Sequence, residues 1–141
     1  MAARSVEREV LIHAPVEHVW SIVTEPEHIA GWLSDSAEID LRPGGELLLK
    51  WDRHGTASGT VERVEPPHLF AFRWETPEPD RDPTGNLTLV EFQLRADGDG
   101  TLLRVVESGF ADEELAARHV NGWGSFLDGL VRYVSTAEVS I

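Results

Sequence analysis

The chain has 141 residues, a formal net charge of −13 and no cysteine. Its length is typical of one domain with its own core, so we expect a single domain over residues 1–141. The excess of acidic residues disfavours nucleic-acid binding, and the absence of cysteine excludes disulfides and thiolate metal sites. No apolar run is long enough for membrane insertion. Together these features predict a cytoplasmic protein.

The first element is predicted to be a strand, because apolar and charged residues alternate over Ser5–Ile12. Pro15 then opens a short helix with an apolar side, and Pro26 opens a second short helix that carries Ile29, Trp32 and Leu33. The two helices interrupt a chain that otherwise has the pattern of strands.

Six further strands are predicted beyond the helices, each separated from the next by turn or loop residues. Consecutive strands joined by short turns pair in antiparallel fashion, and a sheet of this size twists and curls. Residues 77–86, rich in proline and acidic residues, are predicted to form a flexible loop. The predicted strands cover residues 37–41, 46–52, 56–65, 68–76, 87–96 and 101–109.

One long amphipathic helix is predicted from Asp112 to Thr136, because its apolar residues recur at steps of three and four. Asp112 is the expected N-cap, and Glu113 and Glu114 place negative charge at the positive end of the helix dipole. The fold class is therefore α+β, with a curved antiparallel sheet of six to seven strands wrapped around this helix and two short helices after the first strand.

Three glycines lie inside the long helix, at positions 122, 124 and 129, where each costs about 1 kcal/mol relative to alanine. An interior glycine usually has a packing reason, and for Gly129 we predict close packing. For Gly122, next to Trp123, we predict that the missing side chain leaves room for a ligand.

Apolar side chains of one parity on each strand are predicted to face the helix and to form either a filled core or a ligand cavity. Core packing is preferred for Trp20 and Phe126, whereas core and cavity are equally supported for the other four tryptophans. Phe110 is expected at the cavity mouth. The complete predicted ligand-binding set is Trp32, Trp51, Phe72, Trp74, Phe92, Val105, Glu107, Phe110, His119, Val120 and Trp123.

Two ionisable residues are the only candidates for proton chemistry. Glu107 shares the parity of Leu103 and Val105, so it could be a buried carboxylate with a raised pKa, although a wet rim position paired with an arginine is preferred. His119 lies one turn before Trp123 and could donate to a polar ligand group, although a surface position is preferred. No catalytic residue is assigned, and no metal or cofactor is expected, since the six histidines lack ligand spacing.

The chain resembles the START-like, helix-grip (SRPBCC) superfamily in the segments IHAPVEHVW, TEPEHIAGW, GGELLLKW, GTVERVEPPHLFAFRWE, TLLRVVESGF and HVNGWGSFLDGLVRY. Within it the chain is similar to the group homologous to the C-terminal domain of the activator of the heat-shock-protein-90 ATPase, as a single-domain member. The resemblance implies a curved antiparallel sheet gripping a long C-terminal helix over a cavity. Members of the superfamily include lipid carriers, hormone receptors, plant defence proteins and polyketide cyclases.

The function predicted from the sequence is non-catalytic binding of a small hydrophobic molecule, lipid-like or aromatic, between the long helix and the sheet. An alternative is an enzyme of the polyketide cyclase or aromatase kind, which requires at least two polar groups converging in the cavity. A third is an interaction protein that binds a chaperone or regulator through its acidic surface. Monomer and homodimer both remain open.

Overall fold

The computed structural model describes residues 5–53, 55–77 and 87–139, with side chains up to residue 134. Apart from Pro77, the predicted flexible loop at residues 77–86 lies outside the described residues. The elements, in chain order, are β1 Ser5–Ile12, α1 Val16–Thr24, α2 Pro26–Ile29, β2 Ser36–Ile39, β3 Glu46–Trp51, β4 Gly55–Glu65, β5 Leu69–Glu75, β6 Leu87–Asp97, β7 Gly100–Ser108 and α3 Glu113–Val139.

The seven strands form one antiparallel sheet in the order β1-β7-β6-β5-β4-β3-β2. Strands β2 to β6 each pair with the next strand along the chain, while β1 pairs with β7 and so joins the first strand to the last. The sheet is curved and holds the long C-terminal helix, which confirms the predicted helix-grip fold class. The predicted strand positions agree with the observed ones to within one or two residues.

The core lies on the face of the sheet that the apolar parity predicted. Phe70, Phe72, Val90, Phe92 and Leu103 are all at most 1% exposed. Rings from adjacent strands touch edge-on across this face, as in the contact between Phe72 and Phe92, whose centroids are 5.6 Å apart. Trp20, predicted as core, is half-buried and packs against this cluster.

The long helix α3 begins where the sequence predicted. The side-chain Oδ1 of Asp112 accepts a hydrogen bond from the backbone N–H of Leu115 at 2.9 Å, which is the expected N-cap contact. The buried face of the helix includes Leu115, Trp123, Leu127 and Leu130. No helix among the described residues combines the length and the apolarity that crossing a membrane requires.

The glycines of α3 differ in what surrounds them. Among the described residues, a Cβ on Gly122 would meet only the ring of Phe126, at 4.0 Å, which is the outer limit of van der Waals contact. A Cβ on Gly129 would lie 3.7 Å from the backbone carbonyl oxygen of Trp32, so the helix packs against the main chain of Trp32 at this position. The distance is an ordinary van der Waals contact and would still accommodate a methyl group. On α2's C-terminal side, Gly31 is packed much more tightly, because a Cβ would lie 2.3 Å from the ring of Tyr133.

Candidate functional site

A groove of about 450 Å³ lies between the N-terminal half of α3 and the ends of β3 and β5. We call this space the groove. It opens beside Gly122, where a Cβ would meet no described side chain closer than Phe126 at 4.0 Å. The groove is lined by Trp51, Trp74, Thr76, Pro77, Arg118, His119, Gly122, Trp123 and Phe126.

Four aromatic rings form most of the groove wall. Trp74 and Trp123 are stacked, with ring centroids 5.9 Å apart, and Trp51 and Phe126 are stacked at 6.4 Å. Trp51 also contacts Trp74 edge-on at 6.3 Å, so the two stacks are continuous. Because each ring is held by at least one other ring, the wall is a rigid apolar surface.

Local sequence explains why these rings meet. Trp51 ends β3 and Trp74 lies near the end of β5, each on the inward parity of its strand, while Trp123 lies on the inward face of α3. The indole N–H of Trp51 donates to the carbonyl oxygen of Leu33 at 2.8 Å, which fixes the ring orientation. The groove therefore depends on strand parity together with one loop contact.

Behind the wall, the carboxylate of Glu107 accepts four hydrogen bonds, and we call this residue with its four partners the Glu107 cluster. Oε2 accepts from the Trp74 indole N–H at 2.9 Å and from the Thr88 hydroxyl at 2.5 Å. Oε1 accepts from the Trp123 indole N–H at 2.7 Å and lies 2.7 Å from Nδ1 of His119. The cluster links β5, β6, β7 and α3 through one side chain.

The Glu107 carboxylate is fully buried, so the preferred prediction of a wet rim position paired with an arginine is wrong. Burial acts to raise the pKa of Glu107, but the hydrogen bond and charge of His119, together with the Thr88 and Trp74 hydrogen bonds, hold it below its ordinary value. The alternative prediction of a raised pKa is therefore also corrected. Glu107 is a buried anion whose acceptor positions are used by fixed donors.

His119 is 9% exposed and lines the groove, so the preferred prediction of a surface position is wrong. Its ring is held between Glu107, which contacts Nδ1, and the ring of Phe110, with which it makes a T-shaped contact at a centroid distance of 5.1 Å. Nε2 lies 3.4 Å from the hydroxyl of Thr76, another groove residue. The histidine thus connects the buried carboxylate to the groove.

The structure brings together only part of the predicted ligand-binding set. Trp51, Trp74, His119 and Trp123 line the groove. Trp32, Phe72, Phe92 and Val105 are buried core residues outside the lining, and Glu107 and Phe110 lie behind His119.

Phe110, predicted at the cavity mouth, is instead 3% exposed and outside the groove lining. The placements of Val120 and Phe126 are corrections as well. Val120 directly follows His119 on α3, but it lies on the solvent side of the helix, where it is 37% exposed and outside the groove lining. Phe126, predicted as core, is half-buried and forms part of the groove wall.

Sequence reasoning missed three lining residues, Thr76, Pro77 and Arg118. Thr76 and Pro77 come two and three residues after Trp74, just past the end of β5, so proximity to an inward tryptophan was the available signal. Arg118 precedes Gly122 by four residues, a helical spacing that puts both on one face.

Comparison with known proteins places this chain in a family. The model for "Activator of Hsp90 ATPase homolog 1-like protein" matches residues 13–135. No curated protein matches the chain.

Solved structures share the fold. Protein MLL2253 from Mesorhizobium loti is 26% identical with a TM-score of 0.84, and the match covers 94% of this chain and 98% of that one. CalU16 from Micromonospora echinospora is 31% identical with a TM-score of 0.77, covering 99% and 83%. DynU16, from the dynemicin biosynthetic locus, is 25% identical with a TM-score of 0.80, covering 95% of this chain and 48% of its own. The chain belongs to the Activator of Hsp90 ATPase homolog 1-like protein family, as the sequence resemblance predicted.

Proposed function

We propose that the protein binds a small, predominantly aromatic molecule in the groove. The observation that carries this proposal is the wall of four rings, Trp51, Trp74, Trp123 and Phe126, around a space of about 450 Å³. Pockets of roughly 300–1,000 Å³ with mostly apolar walls are typical of sites for drug-sized ligands. Flat stacked walls favour a flat ligand, because aromatic rings pack best in offset-stacked or edge-on arrangements.

The polar groups of the groove suggest that the ligand has one polar end. Thr76, Arg118 and His119 lie among the lining residues, and the Thr76 hydroxyl and His119 Nε2 are neighbours. A few placed polar groups in an apolar pocket orient a ligand, while the apolar wall supplies most of the contact area. We therefore expect an aromatic body against the tryptophans and a hydroxyl or anionic group toward Thr76 and His119.

The structural relatives support a small-molecule ligand. DynU16, which is 25% identical to this chain, comes from the dynemicin biosynthetic locus. The alternative of a cyclase or aromatase required at least two polar groups converging in the cavity, and Thr76 and His119 meet that criterion. Proton exchange with a bound ligand is therefore chemically open to this groove.

A matched pair of glycine variants tests the proposal. Gly122→Val would fill the groove. Gly124→Val adds the same side chain two residues later, where the contact that a Cβ would make within the described part of the chain is with the end of the Arg8 side chain, at 3.6 Å. Both variants carry the same change in helix propensity, so they differ in position alone. Binding of 2-methoxynaphthalene would be measured by equilibrium dialysis, with melting temperatures measured without ligand.

We expect saturable binding to the unmodified protein, a loss of at least about tenfold for Gly122→Val, and little change for Gly124→Val. The affinity falls because the added valine side chain would clash with the ligand, and overpacking of this kind costs about 1–3 kcal/mol. Without ligand the groove is empty, so the valine causes no such clash. The melting temperature of Gly122→Val without ligand should equal that of Gly124→Val. No saturable binding, or an equal loss of affinity in both variants, would contradict the proposal.

A further inference from the structure

Trp51 differs from the other two groove tryptophans in how it is held. Trp74 and Trp123 are each 2% exposed and donate their indole N–H groups to the buried carboxylate of Glu107. Trp51 is half-buried at the end of β3, and its indole N–H donates to the backbone carbonyl oxygen of Leu33 at 2.8 Å. Of the three groove indoles, Trp51 is therefore the one whose N–H is held by a loop instead of by the Glu107 cluster.

That loop, residues 30–35, joins α2 to β2, and we call it the α2–β2 loop. Two further hydrogen bonds tie it to the end of β3. The backbone N–H of Asp35 donates to the carbonyl oxygen of Lys50 at 2.8 Å, and the backbone N–H of Asp52 donates to Oδ2 of Asp35 at 2.7 Å. The two bonds reach the residue before Trp51 and the residue after it, so they hold the main chain on both sides of this tryptophan.

The bond between Asp52 and Asp35 uses the main chain of the first residue and the side chain of the second. An ionised carboxylate makes a charge-assisted hydrogen bond, which is shorter and stronger than a bond between neutral groups, and 2.7 Å is within the range of such bonds. Both aspartates are exposed, so neither side chain belongs to the core. The Asp35 carboxylate can therefore be changed without changing the packing of the groove wall directly.

We infer that Asp35 is a positioning residue of the groove, which holds the end of β3 so that the Trp51 ring is in place before a ligand binds. A wall that is fixed beforehand costs no ordering free energy on binding, whereas a mobile ring has to be ordered in the complex. Trp51 stacks on Phe126 at 6.4 Å and contacts Trp74 edge-on at 6.3 Å, so its displacement would open one side of the aromatic wall. The inference rests on the proposed function and names a residue that sets the fit of the same site.

Three substitutions at these two exposed aspartates test the inference. Asp35→Ala removes the acceptor, and Asp35→Asn removes the charge but keeps a side-chain oxygen that can accept from the Asp52 N–H. Asp52→Ala removes a negative charge from the same turn and leaves the acceptor in place. Affinity for 2-methoxynaphthalene would be measured by equilibrium dialysis, and the indole N–H resonances would be recorded on ¹⁵N-labelled protein without ligand.

We expect Asp35→Ala to lower the affinity by at least about threefold, as the loss of one exposed hydrogen bond implies, and the other two variants to bind within about twofold of the unmodified protein. Without ligand, the Trp51 indole resonance should shift or broaden in Asp35→Ala, while those of Trp74 and Trp123 stay in place. The melting temperatures of the three variants should be similar, because all three changes lie at exposed positions.

The outcomes separate this inference from the proposed function. Unchanged affinity in Asp35→Ala, or an equal loss of affinity in Asp35→Asn or Asp52→Ala, would overturn the inference and leave the groove as a binding site. A Trp51 indole resonance that is the same in Asp35→Ala as in the unmodified protein would also overturn it. The absence of saturable binding to the unmodified protein would overturn the proposed function, and the inference with it.

Discussion

Replacing Glu107 by glutamine tests the role of the buried carboxylate in stability. Glutamine has nearly the same shape, but one of its two terminal groups is an NH₂, which donates hydrogen bonds instead of accepting them. In the protein, each carboxylate oxygen accepts one indole N–H, from Trp74 at 2.9 Å and from Trp123 at 2.7 Å. Whichever way the amide is turned, its NH₂ group therefore faces an indole N–H.

The magnitude follows from counting the donors that lose their acceptor. The other partner on each side can adapt, since the Thr88 hydroxyl can rotate to accept and His119 can change tautomer. An indole N–H has no such freedom, so one buried donor remains unsatisfied, at a cost of about 1–3 kcal/mol. Glu107→Leu leaves both indole donors unsatisfied and should cost about twice as much, roughly 2–6 kcal/mol.

Urea unfolding followed by circular dichroism measures these free energies of unfolding. The control is Glu9→Gln, the same substitution at an exposed position of β1, which should change stability by less than about 0.5 kcal/mol. We expect destabilisation to increase in the order Glu9→Gln, Glu107→Gln, Glu107→Leu. A Glu107→Gln protein as stable as the Glu9→Gln control would refute it.

Three further predictions concern the same core. The pKa of Glu107 is lower in the folded protein than its ordinary value, so the ionised carboxylate stabilises the fold at neutral pH and this contribution is lost as the pH falls through the folded-state pKa. The stability difference between the unmodified protein and Glu107→Gln, measured by urea titration, should therefore shrink below about pH 4. Trp123→Ala should destabilise the protein by about 3–5 kcal/mol, measured the same way, because its ring is 2% exposed and its N–H donates to Glu107; a melting temperature near that of the unmodified protein would contradict this. Gly31→Ala should lower the free energy of unfolding by about 1–3 kcal/mol, since its Cβ would overlap the Tyr133 ring. In a Tyr133→Leu background the same Gly31→Ala change should cost less. An equal cost of Gly31→Ala in the Tyr133 and Tyr133→Leu backgrounds would argue against that packing.

Periodicity was sufficient to predict most of the fold from the sequence. Alternating apolar residues defined the strands and their inward faces, and the steps of three and four in α3 predicted the long helix. Its cap was predicted from the residue type of Asp112. The tight contact between Gly31 and Tyr133 was not predicted, because it joins residues far apart in sequence and no local pattern reports it.

The Glu107 cluster shows where sequence reasoning stopped. Strand parity predicted that Glu107 could point inward, but its environment depends on donors 33, 19, 12 and 16 residues away in sequence. Without knowledge of those partners, the sequence does not show whether Glu107 lies at the rim of the sheet or in its interior. A solvated rim position was therefore preferred, since carboxylates are usually solvated. The spacing of His119 and Trp123, one helical turn apart on α3, was the one local signal that two donors share a face.

Indole N–H resonances provide the most direct measurement of the central claim that the groove between α3 and the sheet is the ligand site. The protein has five tryptophans, of which Trp51, Trp74 and Trp123 line the groove while Trp20 and Trp32 do not. Titration of ¹⁵N-labelled protein with 2-methoxynaphthalene should shift the three groove resonances with one common dissociation constant and leave the other two in place. Saturable shifts confined to Trp20 or Trp32, or no shift at any of the three groove tryptophans, would contradict the account.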